Sequence, residues 1–216
     1  MGLLSNTLRM GASQPSAAAD DAYQIEKSLR FEKSDSSTLS RTFSSAGNRQ
    51  KFTVAFWAKL SKLDTYTAIF TAGSDSTNDK FQIYWTSNQF RVADGFSSVV
   101  MDIKLDRVSK DFSAWAHYVV AVDTTQNTNT ERVKIYINGS KQEIFASTSW
   151  PSEDANSNCN NSVIHWIGGR HDNGRYFNGY VSDVFFIDGL QLPPAAFGAN
   201  NSTGVFDPAE FSLPTP

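Results

Sequence analysis

Three kinds of chemistry could be carried by the side chains of this chain, and their spacing tests each. Hydrolysis of a glycosidic bond needs two carboxylates flanking one bond, roughly 5–10 Å apart. A strand supplies such a pair as Glu-x-Asp or Asp-x-Glu, because alternate residues share a face. No such pair falls on a segment that reads as a strand. Glu143 stands alone beside Ile144 and Phe145, and Asp183 and Asp188 are separated by the apolar run Val184 to Ile187. No catalytic residue is assigned, and a glycoside hydrolase is the least favoured reading.

Metal chemistry fares little better. His117, His165 and His171 are the only histidines and form no close pair, which argues against zinc. Calcium wants several oxygen ligands at close quarters. Asp75, Asn78 and Asp79 in one turn could supply some, as could Asp172 and Asn173. Asp and Asn also populate turns because they bond their own backbone. No metal or other cofactor is therefore assigned, and calcium stays open only because two separated loops can share one ion. The single cysteine, Cys159, lies in Ser157-Asn158-Cys159-Asn160-Asn161 with no His beside it, so it reads as an incidental loop thiol.

Sugar recognition needs an aromatic platform with amide or carboxylate partners for hydroxyl groups. Trp150, His171, Asp172, Asn173, Arg175 and Tyr176 offer that mix, and they are the candidate glycan-binding residues. Trp166, inside Val163-Ile164-His165-Trp166-Ile167, reads as core instead.

These residues must be positioned by strands. Val54, Phe56, Ala58 and Leu60 share one face of a segment whose other face carries Trp57 and Lys59. Phe81, Ile83 and Trp85 oppose Gln82 and Tyr84; Tyr118, Val120 and Val122 oppose His117, Val119 and Ala121; Val133, Ile135 and Ile137 alternate likewise. Period-two alternation of this kind predicts half-buried strands. Tyr180 to Ile187 is apolar on both faces except at Ser182 and Asp183, which predicts a central strand. Asn138-Gly139 predicts a tight hairpin into Lys141–Phe145, and Asp94-Gly95, Asn173-Gly174, Asn178-Gly179 and Asp188-Gly189 are further turn pairs. Ser109 to Ala114 is the best helical segment, one turn at most. Asp123 to Glu131 reads as a polar hairpin tip and Ser147 to Asn161 as a long Asn-rich loop. The expectation is an all-β fold, a two-layer antiparallel sandwich or a barrel.

Composition agrees. The 16 Phe, 7 Tyr and 5 Trp among 216 residues are enough for a large core of strands. Net charge is −3 with no basic run, so a nucleic-acid partner is not expected. No stretch approaches the roughly 18 consecutive apolar residues of a membrane span, so membrane insertion is not expected either.

Ser28 to Phe31 with Ser37 to Thr42 resembles the first strand pair of the concanavalin A-like, laminin G-like sandwich. Phe52 to Leu60, Trp115 to Asp123, Val133 to Gly139 and Phe177 to Val184 resemble its later core strands, in order. Within that fold, Asn6 to Ser13, Ser44 to Arg49, Asp123 to Gln126, Phe186 to Gly189, Phe197-Gly198 and Ser202 to Val205 resemble laminin G-like proteins of tailed phages, marine ones especially. The resemblance implies a jelly-roll sandwich in a virion component: head decoration, capsid fibre or tail-associated adhesin, made in the host cytoplasm. It implies other virion subunits as partners, a homo-oligomer with a trimer as the simplest case, and surface glycans as the alternative ligand.

The opening Met1 to Gln14 fits neither a secretory signal nor a myristoylation site, since Asn6 stands where Ser or Thr is required. Leu3, Leu4, Leu8, Arg9 and Met10 precede a Gly-, Ala- and Ser-rich stretch reaching Ala19. That order fits a frayed terminus or, with the arm that the resemblance implies, a segment docking on a neighbouring subunit through a tether, and the second is the expectation. The expected organisation is an N-terminal arm and linker (1–24), the sandwich (25–192) and a Pro-rich C-terminal strap (193–216).

Overall fold

A computed structural model of the protein describes residues 23–73, 80–95, 100–170 and 175–213. In chain order the strands are β1 (Leu29–Phe31), β2 (Leu39–Thr42), β3 (Lys51–Leu60), β4 (Tyr66–Gly73), β5 (Lys80–Thr86), β6 (Gln89–Asp94), β7 (Met101–Val108) and β8 (Trp115–Asp123). A one-turn helix, α1 (Asn129–Arg132), precedes β9 (Val133–Ile137), β10 (Ser140–Lys141), β11 (Phe145–Ser149), β12 (Ile164–Ile167), β13 (Gly179–Asp188), β14 (Gly198–Asn200) and β15 (Phe206–Pro208). One sheet has the order β1-β13-β3-β8-β9-β10 and the other β11-β7-β6-β5-β4-β12-β2; β14 and β15 form a separate hairpin. The two large sheets are antiparallel throughout and make the expected all-β sandwich.

The interior is built from the faces that the alternation marks. Val54, Phe56 and Leu60 of β3 and Val120 and Val122 of β8 join Phe81, Ile83 and Trp85 of β5 in one core. Phe56 stacks on Tyr118 at 5.3 Å, and the Trp85 ring meets Tyr118 edge-on at 5.5 Å, tying the two sheets. Trp85 keeps its indole N–H satisfied by donating to Ser109 Oγ at 3.2 Å. Each large side chain buried this way contributes roughly 1.5–3 kcal/mol.

A second apolar layer covers the outer face of the six-stranded sheet. Ala55, Val119 and Ala121 pack there against Leu192 and Phe197, with Phe185 and Phe211 alongside. Phe197 and Phe211 stack at 5.2 Å and both meet Phe185. The segment after Leu192 is thus not a bare strap: it forms the β14–β15 hairpin and seals a sheet face. Phe206 lies over the Asn138-Gly139 turn and stacks on His117 at 5.1 Å. Asn138 and Gly139 have φ of 47° and 76°, the left-handed pair that a two-residue hairpin requires.

Several expectations change. β1 and β2 are not a strand pair: β1 joins β13, and β2 joins β12 in the opposite sheet. Lys141 to Phe145 is not one strand either. β10 ends at Lys141, and β11 crosses to pair with β7, leaving Ile144 at 75% exposure in the crossing. Ser147 to Ser149, expected in a loop, belong to β11. Ser109 to Ala114 forms no helix, because the Asp111 carboxylate accepts from the Ser113 N–H at 2.8 Å and from its hydroxyl at 2.7 Å, a local alternative to helical bonding. The helical turn sits instead in the hairpin tip, where buried Arg132 donates to the carbonyls of Gln126 (2.7 Å) and Pro151 (2.9 Å). β13 is interrupted where its polar residues fall: its register with β3 shifts between Ser182 and Phe185, and Asp183 has φ 43°.

Cys159 lies in a loop as expected but is fully buried among core side chains, and burial pushes its thiol well above the ordinary range. Its polar neighbours are paid for by distant partners. The buried Asp94 carboxylate accepts from the Ser157 hydroxyl (2.5 Å), the Asn158 N–H (2.9 Å) and the Asn158 amide (2.7 Å). Asn160 donates to Asp188 at 2.5 Å. His165 is buried below, its Nδ1 on the Val163 carbonyl at 2.9 Å while Nε2 accepts the Asn160 N–H at 3.2 Å.

Candidate functional site

The outer face of the seven-stranded sheet carries a continuous row of aromatic and guanidinium groups. Cross-strand register places Tyr84 of β5 beside Arg91 of β6, and Arg91 beside Lys104 of β7. Arg91 lies 5.7 Å from the centre of the Tyr84 ring and forms a two-pronged ion pair with Asp102, its Nε donating at 2.6 Å. Tyr66, at the start of β4, stacks on Tyr84 at 6.2 Å, and Arg175 lies 4.4 Å over Tyr66. The Arg175 backbone is itself fixed, its carbonyl accepting the Ala68 N–H at 2.9 Å.

The row runs from wet to dry. Tyr66 is 41% exposed, whereas Tyr84 is 5% exposed, and burial pushes its phenol up to about 12. Beside it, Arg170 donates to Gln82 Oε1 at 3.0 Å on the same face. A phenol ring held in place by stacked guanidinium groups needs little ordering on binding, which is what a preformed recognition surface requires. Of its two rings only Tyr66 is exposed, so what the row can offer a sugar is the Tyr66 ring for C–H groups and guanidinium N–H donors for hydroxyl or carboxylate oxygens.

The expected glycan-binding residues are only partly gathered here. Arg175 is in the row. Tyr176 follows it and packs beside Gly169, where an added Cβ would meet the Tyr176 ring at 2.8 Å. Trp150 lies elsewhere: it meets Phe145 edge-on at 5.5 Å and lines a small cavity of about 220 Å³ with Glu143 and Lys141. That is at β11, four strand spacings from β4, or roughly 19 Å away. His171, Asp172 and Asn173 lie outside the described residues, as do the calcium candidates Asp75, Asn78 and Asp79 and the arm residues Leu3, Leu4, Leu8, Arg9 and Met10. Among the described residues no three His, Cys, Asp or Glu side chains gather into a group that could hold a metal ion.

Tyr66, Tyr84 and Arg91 escape a reading by local motif because they come from three strands. The one available signal is that Tyr84 falls on the face opposite Phe81, Ile83 and Trp85. A second exposed aromatic row lies on the six-stranded sheet. There Arg30 sits 5.0 Å over Tyr180, held by Glu32, Asn178 and Ser61, and Tyr180 meets Trp115 at 6.5 Å.

Several carboxylates are held by other side chains. Asp102 is taken by Arg91, Asp123 by Lys51 and Thr125, Asp188 by Asn48 and Asn160, and Asp183 accepts from the Tyr23 hydroxyl at 2.8 Å.

Comparison with known proteins concerns the fold. The fold is similar to domain 4 of AbnA, an extracellular arabinanase from Geobacillus stearothermophilus solved with arabinotriose (TM-score 0.50, 22% identity, 68% of this chain and 64% of that one). It is similar to domains LG4-5 of the mouse laminin alpha1 chain (TM-score 0.55, 9% identity, 79% and 44%). It is also similar to the CBM40 of the Ruminococcus gnavus IT-sialidase (TM-score 0.50, 11% identity, 76% and 91%). The chain thus spans less than two thirds of the arabinanase and laminin chains. A comparison with curated protein sequences finds no match. A laminin G family model, described as the concanavalin A-like lectin/glucanases superfamily, matches residues 31–190. That match spans the sandwich from Phe31 in β1 to the end of β13, and the chain belongs to the concanavalin A-like lectin/glucanases superfamily.

Proposed function

We propose that the protein is a non-enzymatic, lectin-like component of a tailed-phage virion, a head decoration, capsid fibre or tail-associated subunit whose partners are other virion subunits and further copies of itself. The virion part is supported by the likeness of segments 6–13, 44–49, 123–126, 186–189, 197–198 and 202–205 to phage laminin G-like proteins. The non-enzymatic part is supported by the engagement of Asp94, Asp102, Asp123 and Asp188 in structural hydrogen bonds and ion pairs. Mass spectrometry of purified particles from the phage that encodes the chain tests the first part, and its absence from them would end it.

A second reading, an adhesin for host-surface glycans, is carried by the Arg175–Tyr66–Tyr84–Arg91 row. The arabinanase domain was solved with an oligosaccharide, and the same ligand class suits a row of rings and guanidinium groups. A glycan array with the wild-type chain and Tyr66→Ala tests it. The expected result is binding to one oligosaccharide class that weakens at least tenfold in the variant; an empty array leaves the structural reading alone.

A further inference from the structure

The sandwich is open along one side. Among the described residues β2 is the last strand of its sheet, paired only with β12, and all four of its residues are exposed. Across from it, β13 is paired on its outer side by β1 only over Gly179–Val181. From Asp183 to Asp188 no described strand covers that edge. Between the two edges lie three adjoining cavities, each of about 340 Å³. The first is lined by Leu29, Leu39 and Val184, the second by Leu39, Phe70 and Phe186, and the third by Phe43, Phe186 and Asp188. Shared walls make them one groove, apolar along most of its length, flanked by two strand edges that no described strand pairs on the groove side. Exposed edges of this kind are templates for an added strand.

The chain itself leads into this groove. Passing upstream through β1, Phe31 lies opposite Gly179 and Leu29 opposite Val181. The Lys27 carbonyl then accepts from Ser182 Oγ at 2.6 Å, and the Tyr23 hydroxyl donates to Asp183. Each step upstream advances along β13 towards Asp188. The 22 residues before Tyr23 include Leu3, Leu4, Leu8 and Met10, and residues 11–22 separate that apolar set from the groove mouth. A twelve-residue chain of Gly-, Ala- and Ser-rich composition has an r.m.s. span of roughly 19 Å. The open edge from Asp183 to Asp188 is roughly 17 Å long. A tether matched to the distance it must cover gives the highest effective concentration, in the millimolar range for short linkers.

We infer that residues 3–10 of this chain occupy its own groove, adding an extended segment between the free edges of β2 and β13. Leu3, Leu4, Leu8 and Met10 fill the cavities, and backbone groups of the segment pair with those of the open edges. The same segment that the sequence reading sends to a neighbouring subunit is held in cis in the free protein. The inference stands on the groove and the path of the chain, and is independent of glycan binding.

Hydrogen exchange tests it. The full chain is compared with a deletion of residues 2–19 and with a full-length variant carrying Leu3→Ser, Leu4→Ser and Leu8→Ser, each at 1 and 100 µM. The expected result is exchange at least tenfold faster over 39–43 and 184–188 in both variants, unchanged exchange over β8 and β9, and full-chain rates that do not depend on concentration. Equal rates in all three proteins overturn the inference. Protection of the full chain that appears only at the higher concentration also overturns it, and assigns the groove to a second copy.

Discussion

The carboxylate of Asp94, at the end of β6, is bound by Asn158 through both its backbone N–H and its side-chain amide, across 64 residues of sequence. With the Ser157 hydroxyl this makes three hydrogen bonds to one buried group, and the Asn-rich loop is thereby fastened to the larger sheet. Burial raises the carboxyl above its usual range, opposed by those bonds.

Asp94→Ala is expected to destabilise the protein by about 3 kcal/mol, because it leaves several donors unpaired in the interior at roughly 1–3 kcal/mol each. A lower urea midpoint with an unchanged slope checks it. Cys159, next to Asn158, should become reactive to a thiol reagent under native conditions in the variant while staying inert in the wild type.

That loop also shows where sequence is opaque. Ser157, Asn158 and Asn160 look like solvent-facing residues, and the thiol between them looks exposed with them. Their partners, Asp94 and Asp188, are far away in the chain, so no local pattern marks the segment as interior. β3, β5, β8 and β9 were legible because half-buried strands alternate strictly and their core faces declare themselves. Which sheet a strand joins was not: alternation is the same in both, so the crossing from β10 to β11 reads as a single strand. The same limit hides the aromatic row, since Tyr66, Tyr84 and Arg91 meet only through register.

Removal of residues 193–216 is expected to uncover the outer face of the six-stranded sheet. Phe197, Phe206 and Phe211 cover Ala55, Trp57, Val119 and Phe185 there. At roughly 1.5–3 kcal/mol per buried ring, their joint loss is comparable to the whole stability of a typical domain. A truncated chain that binds a hydrophobic dye and melts at least 10 °C lower would agree; unchanged melting would show that this layer contributes little.

Gly139→Ala probes the same layer at one point. Gly139 has φ 76°, and a Cβ there would stand 2.6 Å from Phe206 Cδ2. The left-handed conformation costs a residue with a Cβ roughly 1–2 kcal/mol, and displacement of the Phe206 ring adds to that. A double variant with Phe206→Ala should recover the second part only, so the two changes should combine to less than their sum in denaturation midpoints.

The ring against which Phe206 lies makes the stability depend on pH. His117 is fully buried between Trp57 and Phe206, with Phe197 nearby, and neither of its ring nitrogens has a hydrogen-bond partner among the described residues. Burial lowers its pKa to about 4, against 6.5 in an open chain. The folded state therefore resists protonation while the unfolded chain accepts it. Between those two values the unfolded state binds more protons, so stability falls as pH drops from 6.5 towards 4. A shift of this size corresponds to about 3 kcal/mol across the full window. His165, whose pKa burial also lowers, contributes in the same direction, so the comparison must be made against a variant lacking only the first ring. His117→Phe keeps an aromatic ring in the stack and removes the titration. Urea midpoints at pH 7 and pH 4.5 should draw together in that variant relative to the wild type. Equal pH sensitivity in the two proteins would show that His117 does not carry the acid response.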